Sequence, residues 1–383
     1  MIAPPAMLGM LGGGQLGRFF VMAAHELGYR VMVLDPDQAS PAGRIADVHL
    51  QAQYDDAVAL QKMAAECAAV TTEFENVPAQ TLSFLSQHLP VSPAAECVAI
   101  AQHRSREKTF LRDQGFPVGP FAVIDSAADL EVLAKEAQAY FPAVLKVARF
   151  GYDGKGQARV ANLDEARAAL AAFKGEACVL EKFVTLDCEV SVVLARAQDG
   201  QAKCFPLSEN QHRRGILDVS IVPARVAEPV REEAEQLALE IARKLGYVGV
   251  MAVEFFVSEG RLLVNEIAPR PHNSGHYTLD ACLVSQFEQQ VRALVGLPLG
   301  DTRAHSAAVM VNLLGDVWLH EDVSREPRWP EILAVPGLKL HLYGKHEARV
   351  GRKMGHFTVL GREVGEALPA ALAARAALGV ADD

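Results

Sequence analysis

No stretch of this 383-residue chain reaches about 18 uncharged apolar residues, and no cationic segment precedes a long apolar run near its start. Neither membrane spanning nor export is therefore expected. The six cysteines, Cys67, Cys97, Cys178, Cys188, Cys204 and Cys282, form no C-x-x-C pair and match no zinc spacing, which points to free thiols in a reducing cytoplasm. Basic residues are in deficit. The 37 Lys and Arg against 47 Asp and Glu give a formal net charge of -10 and a pI near 5.7, which excludes a general binder of nucleic acid or anionic membrane. An anionic substrate would then need cations concentrated locally. Internal repeats and low-complexity linkers are missing too, so the roughly two or three domains expected at this length should pack closely.

What is present begins with alternation. From Met7 to about Gly115, the apolar runs "MLGML", "RVMVLD", "AVTTEF" and "LPVSP" read as strands separated by helix-like stretches such as "LGRFFVMAAHELG" and "AVALQKMAAECA". This pattern predicts an α/β unit with a parallel, doubly wound sheet, whose ligands lie beyond the carboxyl ends of the strands. Two loops fall there, Gly13–Leu16 and Glu73–Pro78. Within "MLGGGQLGRF", Gly12, Gly14 and Gly17 satisfy G-x-G-x-x-G, and the next strand ends on Asp35. Those are features of a dinucleotide site, yet the physics requires only a tight turn and a helix N-terminus facing an anion.

After about Phe116 the alternation gives way to strand pairs. "AVLKVARF" and "GQARVA", "CEVSVVLARA" and "AKCFPLSE", and "VMAVEFFV" and "RLLVNEIA" each flank a turn, and "REEAEQLALEIARKLG" carries Leu237, Ile241 and Leu245 on one helix face. The region reads as α+β on antiparallel sheets. From about Gly296 a smaller β-rich segment follows, with "AAVMVNLLG", "LKLHLYG" and "GHFTVLG" and an alanine-rich tail.

Five constellations carry chemistry. Gly151, Gly154 and Gly156 crowd a turn between two strands, where backbone N–H groups and Lys155 could cover a polyphosphate; a flexible surface turn is the alternative. Lys146 interrupts the run "AVLKV" and needs an anion or an edge position to be tolerated, and Glu181 and Lys182 intrude in the same way into "VLEKFV", with Glu189 on the next strand. Glu254 falls opposite Glu266, or within one residue of it, across a hairpin centred near Gly260. Facing carboxylates repel, and a magnesium ion would turn that repulsion into a site. Directly after it, Arg270, His272, Asn273 and Ser274 bring donors suited to a small oxyanion. Last, Lys345, Arg349, Arg352 and Lys353 concentrate positive charge on a hairpin turn, either as a solvated face or as the grip for a phosphate-bearing substrate.

The order of these parts resembles the ATP-grasp fold. "GGGQLGR", "TTEFENVP", "GYDGKGQ", "EKFV" and "NEIAPRPHNSGH" together resemble the 5-(carboxyamino)imidazole ribonucleotide synthases of bacterial and fungal purine synthesis, from about Met7 to the last helix. The resemblance implies an N-terminal pre-ATP-grasp domain over 1–103, an ATP-grasp domain over 104–295 and a C-terminal domain over 296–383. It implies ATP contacts from Arg104, Lys146, the loop Gly151, Tyr152, Asp153, Gly154, Lys155, Gly156 and Gln157, and the hinge Glu181, Lys182, Phe183 and Val184. Glu189 at the ribose, His212 and Asn265 complete the nucleotide site, and Glu254 and Glu266 match the magnesium ligands. Arg270, His272 and Asn273 match the bicarbonate and carboxyphosphate pocket, with Asp153 the candidate proton acceptor.

By the same resemblance, Gly14, Gln15, Glu73, Tyr152, Lys345 and Arg352 would surround 5-aminoimidazole ribonucleotide, the last two at its phosphate. The N-terminal glycine loop would then face a ribonucleotide and not a dinucleotide. The implied activity is ATP- and bicarbonate-dependent carboxylation of the exocyclic amine, in a cytoplasmic homodimer. The alternatives are another ATP-grasp ligase, of the formate-dependent glycinamide ribonucleotide or biotin carboxylase type, and an NAD-dependent dehydrogenase. The last leaves the glutamate pair unexplained.

Overall fold

The computed structural model describes residues 1–133, 137–149, 156–320, 323–324 and 326–380. Strands Val48–Leu50, Arg30–Leu34, Met7–Leu11 and Ala69–Thr72 lie side by side in that order, all parallel. Alternation sends Leu8, Met10, Val31 and Val33 into a core shared with Phe19 and Phe20 of helix Gln15–Glu26, while Leu11, Met32, Leu34 and Val70 enter a second core on the opposite face. A sheet covered on both faces needs such near-continuous apolar strands. Phe20 is fully buried, worth about 1.5–3 kcal/mol for a side chain of this kind. "LPVSP" is not a strand of this sheet. Val91 makes one isolated parallel bridge to Val70 between prolines, which donate no N–H, and the remaining place is taken by the three-residue strand Val48–Leu50.

The second sheet has nine strands. Its path runs Arg261–Ala268, Gly249–Ser258, Cys188–Arg196, Ser208–Arg213, Ile216–Val222, Ala307–Leu314, Lys353–Gly361 and Leu338–Leu342, with Ala202–Cys204 pairing off Cys188–Arg196. Strands read from the middle and last parts of the sequence thus meet in one ladder, joined where Val219–Val222 pairs with 308–311. On one face Val190, Val192, Leu194, Met251, Val253 and Phe255 pack under helix Glu228–Lys244, whose inward face is Ala234, Ala238, Ile241 and Ala242, with Leu237 and Leu245 at its margin. On the other face Val193, Ala195, Val250 and Ala252 pack against Tyr277, Ala281 and Ala293. Continuing the period-two pattern along the same strands puts Glu189, Ser191 and Glu254 on this second face.

A four-stranded sheet, in the order Phe121–Ile124, Cys178–Lys182, Ala143–Val147 and Gln157–Val160, is backed by helix Leu163–Ala172. It confirms the hairpin read around the glycine-rich turn: Lys146 pairs with Gln157 and Ala143 with Val160. All six cysteines are unpaired, and among the described residues no helix is long and apolar enough to cross a membrane.

Candidate active site

A cleft of about 900 Å³ opens between the small sheet, the second face of the large sheet and the loops that follow the parallel strands. Among the described residues seven Lys or Arg and six Glu line it, so a chain that is acidic as a whole has a slight excess of cations there. Arg104, Lys146, Gln157, the hinge 181–184, Glu189, His212, Glu254, Asn265, Glu266, Arg270, His272 and Asn273 all lie on it, as do Gln15, Glu73 and Gly156. Gly151, Tyr152, Asp153, Gly154 and Lys155 lie outside the described residues.

The N-terminal glycine loop resolves the question that its motif raises. Its donors are engaged by internal carboxylates: Gly13 N–H donates to Asp35 Oδ2 at 2.7 Å, Gly14 N–H to Glu73 Oε1 at 2.5 Å and Gly17 N–H to Glu73 Oε2 at 2.7 Å. A Cβ at Gly14 would sit 2.6 Å from Glu73 Oε1, and one at Gly17 would sit 2.7 Å from the carbonyl of Gly12. The glycines are therefore required by the close approach of Glu73, which comes from the loop after Ala69–Thr72 and holds the position a pyrophosphate would need. Burial pushes the Glu73 carboxyl up, against the two N–H donors.

On the small sheet, Glu181 is gripped from two sides. Lys146 Nζ lies 3.0 Å from one carboxylate oxygen and Lys108 Nζ 3.2 Å from the other. Lys108 is 2% exposed and also donates to the carbonyl of Val264 at 3.3 Å. Burial of Glu181 would raise its carboxyl, but the lysines outweigh it and hold it at about 2. Lys146 thus has the anionic partner its strand position demands. Lys108 was missed, because on helix Arg104–Asp113 it reads as an ordinary solvated residue.

On the large sheet Glu254 and Glu266 are direct cross-strand partners, followed by a bulge between Glu254 and Phe255. Each has one cationic or donor neighbour: Arg104 Nη1 is 3.2 Å from Glu266 Oε2, and His272 Nε2 is 3.0 Å from Glu254 Oε1. Burial would raise the Glu254 carboxyl, but His272, with His212 and Arg270 nearby, holds it well below the usual carboxylate range. Asn265, on the same strand as Glu266, has a buried Oδ1 with no hydrogen-bond partner among the described residues. Two facing carboxylates and an orphaned amide oxygen form an all-oxygen donor set that fits a hard divalent cation. His212 Nδ1 meets Glu189 Oε2 at 3.1 Å; burial pushes that imidazole down, but Glu189 with Glu254 and Glu266 nearby holds it above its ordinary value.

Beside the pair, Arg270 donates through Nε and Nη2 to the two oxygens of Glu75, and Asn273 keeps both side-chain polar atoms buried without a partner among the described residues. Glu75 would be raised by burial but is held at about 2 by Arg270. The sequence reading marks the "EFENVP" loop without singling out Glu75, the acid that orients this arginine. In the basic turn, Lys345 Nζ donates to the Lys353 carbonyl at 2.7 Å and Arg352 Nη1 to the Glu347 carbonyl at 2.7 Å, while Arg349 pairs with Glu347 at the surface. Among these four it is Lys353 whose side lines the cleft.

Away from the cleft, Asp280, His341 and His356 bring ligand atoms within 4.8 Å of one another. The two imidazoles stack at 4.6 Å and 21°, so their in-plane lone pairs diverge from any common ion, and the group is a packed hydrogen-bonded cluster with His341 Nε2 on Asp280 Oδ2 at 2.9 Å.

A nucleotide-sized cleft, paired metal-type carboxylates on a β-hairpin and an oxyanion pocket beside them define a phosphoryl-transferring ligase of the ATP-grasp class. The matching family models agree: a ribonucleotide synthetase preATP-grasp domain over 6–102, an ATP-grasp domain over 109–287 and a phosphoribosylaminoimidazole carboxylase C-terminal domain over 308–369. The chain is 43% identical over 361 residues to the N5-carboxyaminoimidazole ribonucleotide synthase of Bacillus subtilis, covering 94% of this chain and 93% of that protein. An ADP complex of an N5-carboxyaminoimidazole ribonucleotide synthetase superposes with TM-score 0.90 at 40% identity, covering 98% and 97% of the two chains. The Aspergillus clavatus synthase in complex with ADP and 5-aminoimidazole ribonucleotide superposes with TM-score 0.88 at 29% identity, covering 98% of each. The chain belongs to the N5-carboxyaminoimidazole ribonucleotide synthase family.

Proposed function

We propose that the chain carboxylates the exocyclic amine of 5-aminoimidazole ribonucleotide, using ATP and bicarbonate and releasing ADP and phosphate. The observation that carries this is the juxtaposition, in one cleft, of the Glu254 and Glu266 pair with Arg270, His272 and Asn273. ATP would lie between the small sheet and the large one, with Lys146 at its phosphates, the hinge 181–184 at its base and Glu189 at its ribose. Magnesium, held by Glu254 and Glu266 with Asn265 nearby, would neutralise phosphate oxygens.

Arg270, oriented by Glu75, and the unpartnered amide of Asn273 would hold bicarbonate in line with the γ-phosphoryl group. Its transfer gives carboxyphosphate, a step in which the protein supplies position and charge stabilisation and little covalent chemistry. The amine of the ribonucleotide then takes the carboxyl group, and Asp153 is the proposed acceptor of its proton. Water destroys carboxyphosphate, so exclusion of solvent from the site would precede its formation. Gly14, Gln15, Glu73 and Tyr152 would bound the ribonucleotide, with Lys345 and Arg352 at its phosphate, in a cytoplasmic homodimer.

Release of phosphate from ATP and bicarbonate, with and without 5-aminoimidazole ribonucleotide, tests the reading. Stimulation by the ribonucleotide and formation of the carboxylated product are expected, and phosphate release stimulated by glycinamide ribonucleotide and formate in its place would overturn it.

A further inference from the structure

Behind the metal-type pair lies a file of buried polar side chains that the phosphoryl-transfer reading does not use. Glu266, Glu254, Ser191 and Ser208 are successive direct partners across four adjacent strands, so they share one face of the sheet. Ser191, Ser208 and Ser274 are each no more than 1% exposed. Ser274 Oγ lies 2.8 Å from His272 Nδ1 and 2.6 Å from Ser191 Oγ, which in turn lies 2.8 Å from Ser208 Oγ and accepts from Asn210 Nδ2 at 2.8 Å. Asn210 Oδ1 accepts from Ser220 Oγ at 2.8 Å.

Hydroxyls can turn either way, so the direction of this file is set by its fixed ends. The backbone N–H of Ser274 cannot reverse, and it donates to His272 Nδ1 at 3.3 Å. Nδ1 is therefore an acceptor. At the other ring nitrogen, the Glu254 carboxylate can only accept, so Nε2 carries the proton. With Nδ1 accepting, the Ser274 hydroxyl must donate to it. The lone pairs of Ser274 then receive the proton of Ser191, whose own oxygen is supplied by Asn210. Along Ser220, Asn210, Ser191 and Ser274 the donors all point toward Glu254, while Ser208 Oγ donates to the backbone carbonyl of Ser191 at 3.2 Å.

We propose that Ser274, backed by Ser191, is a positioning residue that fixes His272 as the tautomer protonated on Nε2 and so commits one oxygen of Glu254 to the imidazole. The proposal rests on reading Glu254 as a metal ligand of the phosphoryl-transfer site. The other oxygen of Glu254 is left to face the cation. The opposite tautomer would aim a nitrogen lone pair at the carboxylate, and Glu254 would swing away from its partner Glu266. Partners of this kind behind a metal ligand are worth about 10–100-fold in metal affinity or activity.

The test reads the imidazole directly, in full-length protein without substrates. In histidine-15N-labelled protein the His272 signals are identified by their loss in His272→Gln, and the Nε2-protonated pattern is expected, with Nδ1 at the position of a hydrogen-bonded acceptor. In Ser274→Ala the Nδ1 resonance should move toward that of a nitrogen with a weakened hydrogen bond. The magnesium concentration for half-maximal phosphate release should rise about tenfold with KM for 5-aminoimidazole ribonucleotide nearly constant. Ser191→Ala should act in the same direction and less strongly.

A wild-type His272 protonated on Nδ1 would overturn the proposal, and so would a Ser274→Ala protein whose Nδ1 resonance and magnesium dependence match the wild type. Since the tautomer is read without turnover, a chain with the Nε2 pattern and no carboxylating activity would refute the proposed reaction and leave the relay standing.

Discussion

Replacing Lys108 by Met removes one of the two ammonium groups that hold Glu181 while keeping most of the side-chain volume. Glu181 has a folded value of about 2 against an ordinary 4.5, and each unit corresponds to about 1.4 kcal/mol, so the ionised carboxylate contributes about 3 kcal/mol to folding. The carboxyl is depressed, so this contribution is fully present above 4.5 and is lost as pH falls through about 2. With Lys146 still in place, loss of Lys108 should remove a large part of it. Breaking a buried pair outright costs about 3–5 kcal/mol, and a shared one should fall at about 2–3 kcal/mol. Urea unfolding at neutral pH should show that loss for Lys108→Met, and the difference from wild type should shrink as the pH is lowered below 4.5, because there the unfolded carboxyl is protonated in both proteins. A loss under about 0.5 kcal/mol, or one independent of pH, would refute the assignment of Lys108 to Glu181 as an electrostatic clamp.

Glu266→Gln should lower phosphate release roughly a hundredfold or more while the thermal midpoint hardly moves, since even an outer partner of a metal is worth about 10–100-fold; near-normal turnover at ordinary magnesium would remove the pair from the metal site. Arg352→Ala should raise KM for 5-aminoimidazole ribonucleotide by roughly ten- to a hundredfold, from a charge-assisted bond worth about 1.5–3 kcal/mol, with Arg349→Ala as the nearly silent control; equal small changes in steady-state kinetics would make the turn a solvated one. Titration calorimetry should detect ATP and not NADH, because Glu73 already occupies the N–H groups of Gly14 and Gly17; micromolar NADH binding would contradict that.

The parts most legible in the sequence were those set by period and by chemical incongruity. Alternation gave the parallel strands Met7–Leu11, Arg30–Leu34 and Ala69–Thr72, and the short turn near Gly260 put Glu254 within one residue of Glu266, with the bulge between Glu254 and Phe255 making them direct partners. Lys146 in an apolar strand called for an anion or an edge position, and Glu181 supplies the anion. What stayed hidden depends on contacts distant in sequence. Glu75 meets Arg270 across 195 positions and Lys108 reaches Val264 across 156, and neither partner is implied by local pattern. Val48–Leu50 is too short to show alternation, and Ser191 looks like any small polar residue until Ser274 is brought beside it from 83 positions away.

The single ladder that joins Ile216–Val222 to Ala307–Leu314 also bears on how such a chain can be rearranged in evolution. A recombination break near Gly296 would fall between two elements, where a gene could be cut without interrupting either. It would nevertheless leave Ile216–Val222 with a bare edge and with Val219 and Ile221, both buried in the whole chain, open to water, a template for pairing with other chains. The last segment therefore folds as part of the catalytic sheet and not as a separate module. The front of the chain is bound in as well, since Phe287, Val291 and Leu294 of helix Gln286–Val295 fill the core on one face of the parallel sheet.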